Sequence, residues 1–95
     1  MVDIKTKEQF EEFILNERVV VDFYADWCGP CRMMEPILED VESVEIGRVN
    51  IDNFRTIAEK YRILSIPSFK IFERGKIIKE KTGFMTRDEF NEFIK

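Results

Sequence analysis

Two cysteines separated by two residues are the first candidates for chemistry in this chain. Cys28 and Cys31 are its only cysteines, and Gly29 and Pro30 lie between them. At the start of a helix that follows a buried strand, such a pair can close a small disulfide ring, and the helix N-terminus stabilises the thiolate of the first cysteine. The spacing predicts thiol–disulfide exchange, with Cys28 as the candidate nucleophile and Cys31 as the candidate resolving thiol.

Composition argues against other uses of this motif. The chain of 95 residues has no histidine and no second cysteine pair, so it lacks the ligands that a structural zinc ion needs, and we expect neither a metal nor a cofactor. A single pair is also not the disulfide framework of a small secreted domain, which favours a reducing compartment, the cytoplasm. The N-terminus does not resemble a signal peptide, and no apolar run approaches a membrane span.

The length and the charge pattern suit one compact domain over residues 1–95, with 44% hydrophobic residues. Residues 1–53 carry five basic and thirteen acidic side chains, whereas residues 54–95 carry ten basic and six acidic ones. The basic residues of the second half are spread among core positions and form no continuous cluster. We therefore expect a solvated surface that does not bind nucleic acid.

The segment from Val19 to Tyr24 is predicted to be a central strand, because it is β-branched and aromatic almost throughout. Asp22 is the exception, and it precedes Cys28 by six residues. A carboxylate in such a strand either reaches water or is retained for chemistry at a cost in stability, and its position favours chemistry. Burial should raise the pKa of Asp22 above its usual value near 3.9. The folded protein should then be less stable at neutral pH than at acidic pH.

The remaining elements follow from periodicity and turn residues. A helix begins near a capping box at Thr6, a second follows the cysteines, and a third starts near Phe54 after another central strand. A hairpin around residues 73–76 and a last helix opened by a capping box at Thr86 complete the chain. The order predicts an α/β domain whose mixed sheet of about five strands, the first very short, is flanked by four helices.

The chain resembles the thioredoxin family over nearly its whole length. The match rests on the run from Val21 to Cys31 and on Pro36-Ile37-Leu38, which continues the same helix. Three further segments agree in order and spacing: Asn50-Ile51-Asp52, Ser65-Ile66-Pro67-Ser68, and the glycines Gly75 and Gly83.

The resemblance implies a thioredoxin fold and a protein-disulfide reductase that works through a Cys28/Cys31 dithiol. Cys28 would be the exposed nucleophile, Cys31 the resolving thiol, Asp22 the buried acid/base and Pro67 a cis-proline facing the disulfide. The family's flat apolar substrate groove would be lined here by Trp27, Gly29, Pro30, Ile66, Pro67 and Gly83. The implied partners are disulfide-containing proteins and an electron donor of the thioredoxin-reductase type. The resemblance also implies that the protein is a monomer.

Two residues depart from the family pattern, and two more lie near the same groove. Arg48 stands where the family usually has a lysine, and a guanidinium cannot donate a proton there, so we expect only electrostatic support from it. Phe84 follows Gly83 where a small residue is common, and its ring should narrow the choice of substrates or add an apolar contact. Arg62 and Leu64 lie on or near the same rim.

Three alternatives stay open on the sequence alone. An oxidase or isomerase would use the same cysteines at another redox potential, although Gly29-Pro30 favours the reducing type by resemblance. A docking module would use the groove without turnover and would keep its function without both thiols. A metal or iron–sulfur site shared between two chains would colour or metallate the purified protein.

Overall fold

A mixed sheet of five strands forms the centre of the molecule. The computed structural model describes all of residues 1–95. The strands are β1 Val2–Asp3, β2 Val19–Tyr24, β3 Glu45–Asn50, β4 Ser68–Glu73 and β5 Lys76–Thr82. They lie in the order β1-β3-β2-β4-β5, with β1, β3 and β2 parallel and with β4 and β5 antiparallel to their neighbours. The predicted sheet, including its very short first strand, is confirmed.

Four helices cover the two sides of this sheet. They are α1 Lys7–Phe13, α2 Gly29–Glu39, α3 Arg55–Lys60 and α4 Arg87–Phe93. Met34 and Leu38 of α2 and Phe90 of α4 pack in one apolar cluster, while α1 and α3 bury Phe10 and Ile57 in another. The sheet is therefore a central layer with α2 and α4 on one side and α1 and α3 on the other. None of the helices has the length and apolar character needed to cross a bilayer.

Strand β2 lies in the middle of the sheet and positions the site. It pairs with β3 on one side and with β4 on the other, and its first five residues are buried. Alternate side chains point to opposite sides, so Val20 packs in the α2/α4 cluster while Val21 packs in the α1/α3 cluster. Burial on both sides explains the nearly continuous apolar run. The strand also carries Asp22 into the interior.

Local capping chemistry largely matches the sequence. The Thr86 hydroxyl accepts the N–H of Glu89 at 3.2 Å and the Glu89 carboxylate accepts the N–H of Thr86 at 2.9 Å, which completes the predicted capping box. At Thr6 only half of the box forms, because the side chain of Gln9 accepts from Lys5.

The hairpin that joins β4 to β5 turns through two residues. Arg74 and Gly75 both have positive φ, 49° and 87°. This combination belongs to the tight turns that match the twist of antiparallel strands. The predicted hairpin is confirmed, and its turn is shorter than the four residues marked by the sequence.

Candidate active site

The two cysteines lie at the N-terminus of α2, where they form a disulfide. Cys28 is the N-cap residue, with extended φ and ψ of −87° and 109°, and Pro30 occupies the first turn, where its missing N–H costs no helical hydrogen bond. The N–H of Cys31 donates to the sulfur of Cys28 at 3.2 Å. The helix therefore directs a backbone donor and its positive end at the sulfur of Cys28, which favours a thiolate there in the reduced protein.

The exposure of the two cysteines differs less than the resemblance implies. Cys28 is 5% exposed and Cys31 is 2% exposed, so Cys28 is not an exposed residue in the disulfide form. Both pack with Ala25 in a small apolar cluster that Tyr24 and Ile66 border. The position at the helix end, rather than a large difference in accessible area, distinguishes the two sulfurs.

The loop before β4 faces the disulfide. The Ile66–Pro67 peptide bond is cis, as the resemblance implies. The carbonyl oxygen of Ile66 lies 3.8 Å from the sulfur of Cys28. On the far side, the N–H of Gly83 donates to the carbonyl of Pro67 at 2.7 Å, and Gly83 has a φ of 98°, which an L-residue rarely adopts. The structure thus brings together three segments that are distant in the chain.

Apolar side chains stand exposed around this loop and the start of α2. Trp27 is 67% exposed and Phe84 is 41% exposed, while an added Cβ at Gly29 would meet no atom within 4 Å. The indole N–H of Trp27 donates to Asp52 at 2.9 Å. Asp52 lies in one of the segments that match the family, but the sequence predicted no role for it, because its contact depends on the loop after β3.

Leu64 and Arg62 border a hollow beside this surface. Its volume is about 840 Å³, and Ile51, Asp52, Ile63 and residues of α3 complete its lining. Leu64 is 94% exposed, and Arg62 has a φ of 53°. The hollow does not include either cysteine, so the position of both residues on or near the rim of the substrate groove stays a prediction.

Asp22 is buried in the sheet and paired with Arg48. The strand register places Asp22 opposite Arg48 of β3, and the two side chains are 1% and 8% exposed. Arg48 donates from Nε to Oδ2 of Asp22 at 3.1 Å. The other oxygen, Oδ1, is buried without a hydrogen-bond partner. An ionised carboxylate oxygen that is buried without a donor is costly, and protonation of the carboxyl group removes its charge.

Burial raises the pKa of Asp22 from 3.8 to about 6. Desolvation is the largest cause, and it outweighs the charge and the hydrogen bond of Arg48, which both lower the pKa. The charge of Glu35 adds a smaller upward contribution. The predicted direction is confirmed. The structure adds that the carboxylate is paired, so its ionised form is supported from one side only.

Arg48 has two further neighbours that were not predicted from the sequence. It donates from Nη1 to Oε2 of Glu35 on α2 at 2.9 Å, and its Cζ lies 3.8 Å from the centre of the Tyr24 ring. Burial lowers the pKa of Arg48, but the adjacent carboxylates of Asp22 and Glu35 outweigh that effect and raise it. Arg48 therefore stays charged, as expected for electrostatic support. Glu35 lies one helical turn after Cys31, a spacing that could have identified it.

The fold and this site define a dithiol–disulfide oxidoreductase that acts on proteins. A family model described as Thioredoxin matches residues 1–95. The chain is 41% identical to a thioredoxin of Chlamydia caviae over 99% of this chain and 96% of that protein. It is 36% identical to a thioredoxin of Mycoplasmoides gallisepticum over the full length of both.

Solved structures agree with the sequence comparison. A thioredoxin of Plasmodium falciparum superposes with a TM-score of 0.92 at 28% identity, over 99% of this chain and 96% of that chain. A mutant thioredoxin of Halobacterium salinarum gives a TM-score of 0.90 at 27% identity, over 98% of this chain and 86% of that chain. The chain belongs to the thioredoxin family.

Proposed function

We propose that this chain reduces disulfides in protein substrates, with Cys28 as the attacking thiolate and Cys31 as the resolving thiol. The position of Cys28 as the N-cap residue of α2 carries the proposal. Its sulfur accepts the N–H of Cys31 at 3.2 Å, so negative charge on this sulfur is stabilised by a backbone donor and by the helix dipole. Cys31 lies one turn further into the helix and does not occupy its end.

The reaction transfers two electrons from the dithiol to the substrate. The Cys28 thiolate attacks one sulfur of the substrate disulfide and forms a mixed disulfide, and the other substrate sulfur leaves as a thiolate that takes up a proton. Cys31 then loses its proton and attacks the sulfur of Cys28. The second substrate thiol is released, and the Cys28–Cys31 disulfide remains. Both substrate sulfurs are reduced, and both cysteines are oxidised.

Asp22 is proposed as the base that deprotonates Cys31 in the second step. Its Oδ1 has no partner in the interior, and its pKa of about 6 makes it ionised at neutral pH yet still able to hold a proton. Arg48 cannot take this role, since its raised pKa keeps the guanidinium charged. We assign Arg48 an electrostatic function.

The substrate is proposed to bind across the start of α2 and the loop before β4. An extended chain would lie on a groove formed by Trp27, Gly29, Pro30, Ile66, Pro67, Gly83 and Phe84. The exposed rings of Trp27 and Phe84 would supply apolar contacts. The Ile66 carbonyl, 3.8 Å from the sulfur of Cys28, would accept a backbone N–H of the substrate, as in strand addition.

Turnover requires a partner that reduces the Cys28–Cys31 disulfide again. We propose a donor of the thioredoxin-reductase type and a role in electron transport and redox homeostasis in the cytoplasm, where a reducing thiol pool is maintained. The protein would act as a monomer, because the groove must stay open to substrates and to the donor in turn.

Trapping of mixed disulfides tests the assignment of the two thiols. We expect Cys31→Ser to accumulate covalent adducts with a disulfide-containing protein, since the first step proceeds and the second cannot. Cys28→Ser, the matched control, should form none. Non-reducing electrophoresis and mass spectrometry of the adducts measure this directly. Adducts attached through Cys31 would contradict the assignment.

The equilibrium potential of the Cys28/Cys31 couple tests the direction of the reaction. Thioredoxin itself has a potential of roughly −270 mV, well below the roughly −120 mV of a strongly oxidising dithiol protein, and we expect this couple to lie on the reducing side. Equilibration with defined ratios of reduced and oxidised glutathione, followed by quenching and mass spectrometry, gives the value. A potential near that of the oxidants would replace reduction by oxidation as the function.

A further inference from the structure

Glu35 is a half-exposed carboxylate that is connected through Arg48 to the buried Asp22. It lies on α2, four residues after Cys31, and its side chain is 41% exposed. Its Oε2 accepts from Nη1 of Arg48 at 2.9 Å, while Nε of the same guanidinium donates to Oδ2 of Asp22 at 3.1 Å. One arginine therefore links a half-exposed carboxylate on the helix with a carboxylate in the sheet that is 1% exposed.

The guanidinium is held on three sides. Asp22 and Glu35 accept from two of its nitrogens, and the Tyr24 ring lies under its Cζ at 3.8 Å. Because a guanidinium is planar, fixing Nη1 and the ring contact also fixes the direction of Nε. Without the Glu35 carboxylate, Nη1 of Arg48 would donate to water instead. The flexible arginine side chain could then turn its charged group towards solvent.

The ionisable groups around Asp22 come from four elements. Strand β3 supplies Arg48, and α2 supplies Glu35. Strand β1 places Asp3 in register with Arg48, and β2 itself supplies Tyr24 on the side of Asp22. Strand β4 places a phenylalanine opposite Asp22. The α2 helix also carries the resolving cysteine, the proposed proton donor. Glu35 is the one carboxylate of this set that is hydrogen-bonded to Arg48 besides Asp22 itself.

We propose that Glu35 is a positioning residue that holds Arg48 against Oδ2 of Asp22. The proton of Asp22 is then carried on Oδ1, and Glu35 on α2 controls the proton affinity of Asp22 through Arg48. Oδ1 is the buried oxygen without a partner. The consequence for exchange rests on the proposed role of Asp22 as the base for Cys31. The positioning itself concerns Asp22 and Arg48 and can be measured without a substrate.

Two substitutions at Glu35 separate its charge from its hold on Arg48. Glu35→Gln keeps an oxygen that accepts from Nη1 and removes the negative charge, so Asp22 should titrate at lower pH. Glu35→Ala removes the acceptor as well, so Arg48 is released and Asp22 loses its cation. In that variant Asp22 should titrate at higher pH, because the charge and the hydrogen bond of Arg48 lower its proton affinity more than the charge of Glu35 raises it. Opposite shifts are the signature of positioning.

The experiment follows the side-chain carboxyl carbon of Asp22 by NMR across pH in the reduced protein. We expect a midpoint lower by about half a pH unit in Glu35→Gln and higher by about half a unit or more in Glu35→Ala. Glu39→Gln, an exposed position of the same helix outside the ion-pair network, is the matched control and should leave the midpoint unchanged. Shifts in the same direction for both Glu35 variants, or no shift, would overturn the proposal and reduce Glu35 to a surface charge.

Single-turnover release of substrate from the mixed disulfide separates this proposal from the role of Asp22. The pH midpoint of the release rate should follow the NMR midpoint in each variant. If the NMR midpoints move in opposite directions and the release rate does not follow, Glu35 still positions Arg48, and the assignment of Asp22 as the base for Cys31 is wrong.

Discussion

Two buried cations on opposite sides of the sheet show what makes an ion pair useful for chemistry. Arg48 lies on the α2/α4 side and pairs with Asp22, which is 1% exposed. Lys70 of β4 is almost equally buried, on the α1/α3 side, but it pairs with Glu80 of the edge strand, which is 58% exposed. The cations are alike in burial, and the anions are not. Desolvation of the anion is what moves the proton affinity of Asp22 towards neutral pH.

Replacing the cation of each pair should give the largest difference in stability between the two pairs. Arg48→Met leaves a buried carboxylate unpaired and should lower the free energy of unfolding by about 3 kcal/mol at pH 7. Lys70→Met leaves a carboxylate that water can solvate, and the loss should be at most about 1 kcal/mol. Urea titrations of both variants measure these values.

The pH dependence provides the check on this first contrast. The Arg48→Met penalty should shrink at pH 4, where Asp22 is protonated and needs no cation. An equal penalty at both pH values would mean that packing of the arginine stem, rather than its charge, supports the fold.

Replacing the anion of each pair tests the comparison through the pH dependence of the free energy of unfolding. The pKa of Asp22 is raised to about 6 in the folded protein, so the folded state binds an extra proton. The stability this provides is fully present below the unfolded pKa of 3.8 and is lost as pH rises through about 6. Asp22→Asn lacks this dependence. Its free energy of unfolding relative to the wild type should therefore rise by about 2 kcal/mol between pH 4 and pH 7.

Glu80→Gln is the matched control for the second contrast. The carboxylate of Glu80 is mostly solvated, so the same difference between pH 4 and pH 7 should stay within about 0.5 kcal/mol. Denaturant titrations of the three proteins at both pH values test this. A similar pH dependence in both variants would show that burial of the anion is not the deciding factor.

Removal of a helix cap on each side of the sheet should give the smallest difference in stability between the two sides. Thr86→Ala on α4 and Thr6→Ala on α1 each remove a hydroxyl that accepts a backbone N–H, at a cost of about 1 kcal/mol. Thr86 also belongs to a complete capping box, so its loss should be the larger of the two by a few tenths of a kcal/mol. Thermal unfolding compares them. A much larger loss on one side would show that the caps are coupled to the core.

Local rules were sufficient for much of the fold and for the residues at the start of α2. The apolar run of β2, the two Thr caps and the glycine of the β4–β5 turn each depend on a few neighbouring residues, and each was predicted. The chemistry of Cys28 and Cys31 also follows from their close spacing and one helix end. The cis bond at Pro67 was implied by resemblance to a family, since the residues around it do not specify the isomer.

Contacts between elements were not predictable in the same way. The pairing of Asp22 with Arg48 requires the register of β2 against β3, and a shift by one residue would turn the two side chains to opposite sides. The contact of Trp27 with Asp52 and the small difference in exposure between the cysteines likewise depend on how loops pack. Residues 25 or more positions apart meet in the contacts of Asp22 and Trp27.

The sequence by itself determined the reactive dithiol, the central strand with its acid, the alternation of helices and strands, and the presence of the hairpin, because these depend on spacing and local conformational preference. Only the tertiary structure decided that Asp22 is paired and yet has a pKa raised to about 6, that Glu35 reaches Arg48, and that Ile66 lies beside the sulfur of Cys28. Those outcomes depend on desolvation and on distances between elements, which arise only when the sheet and α2 pack together.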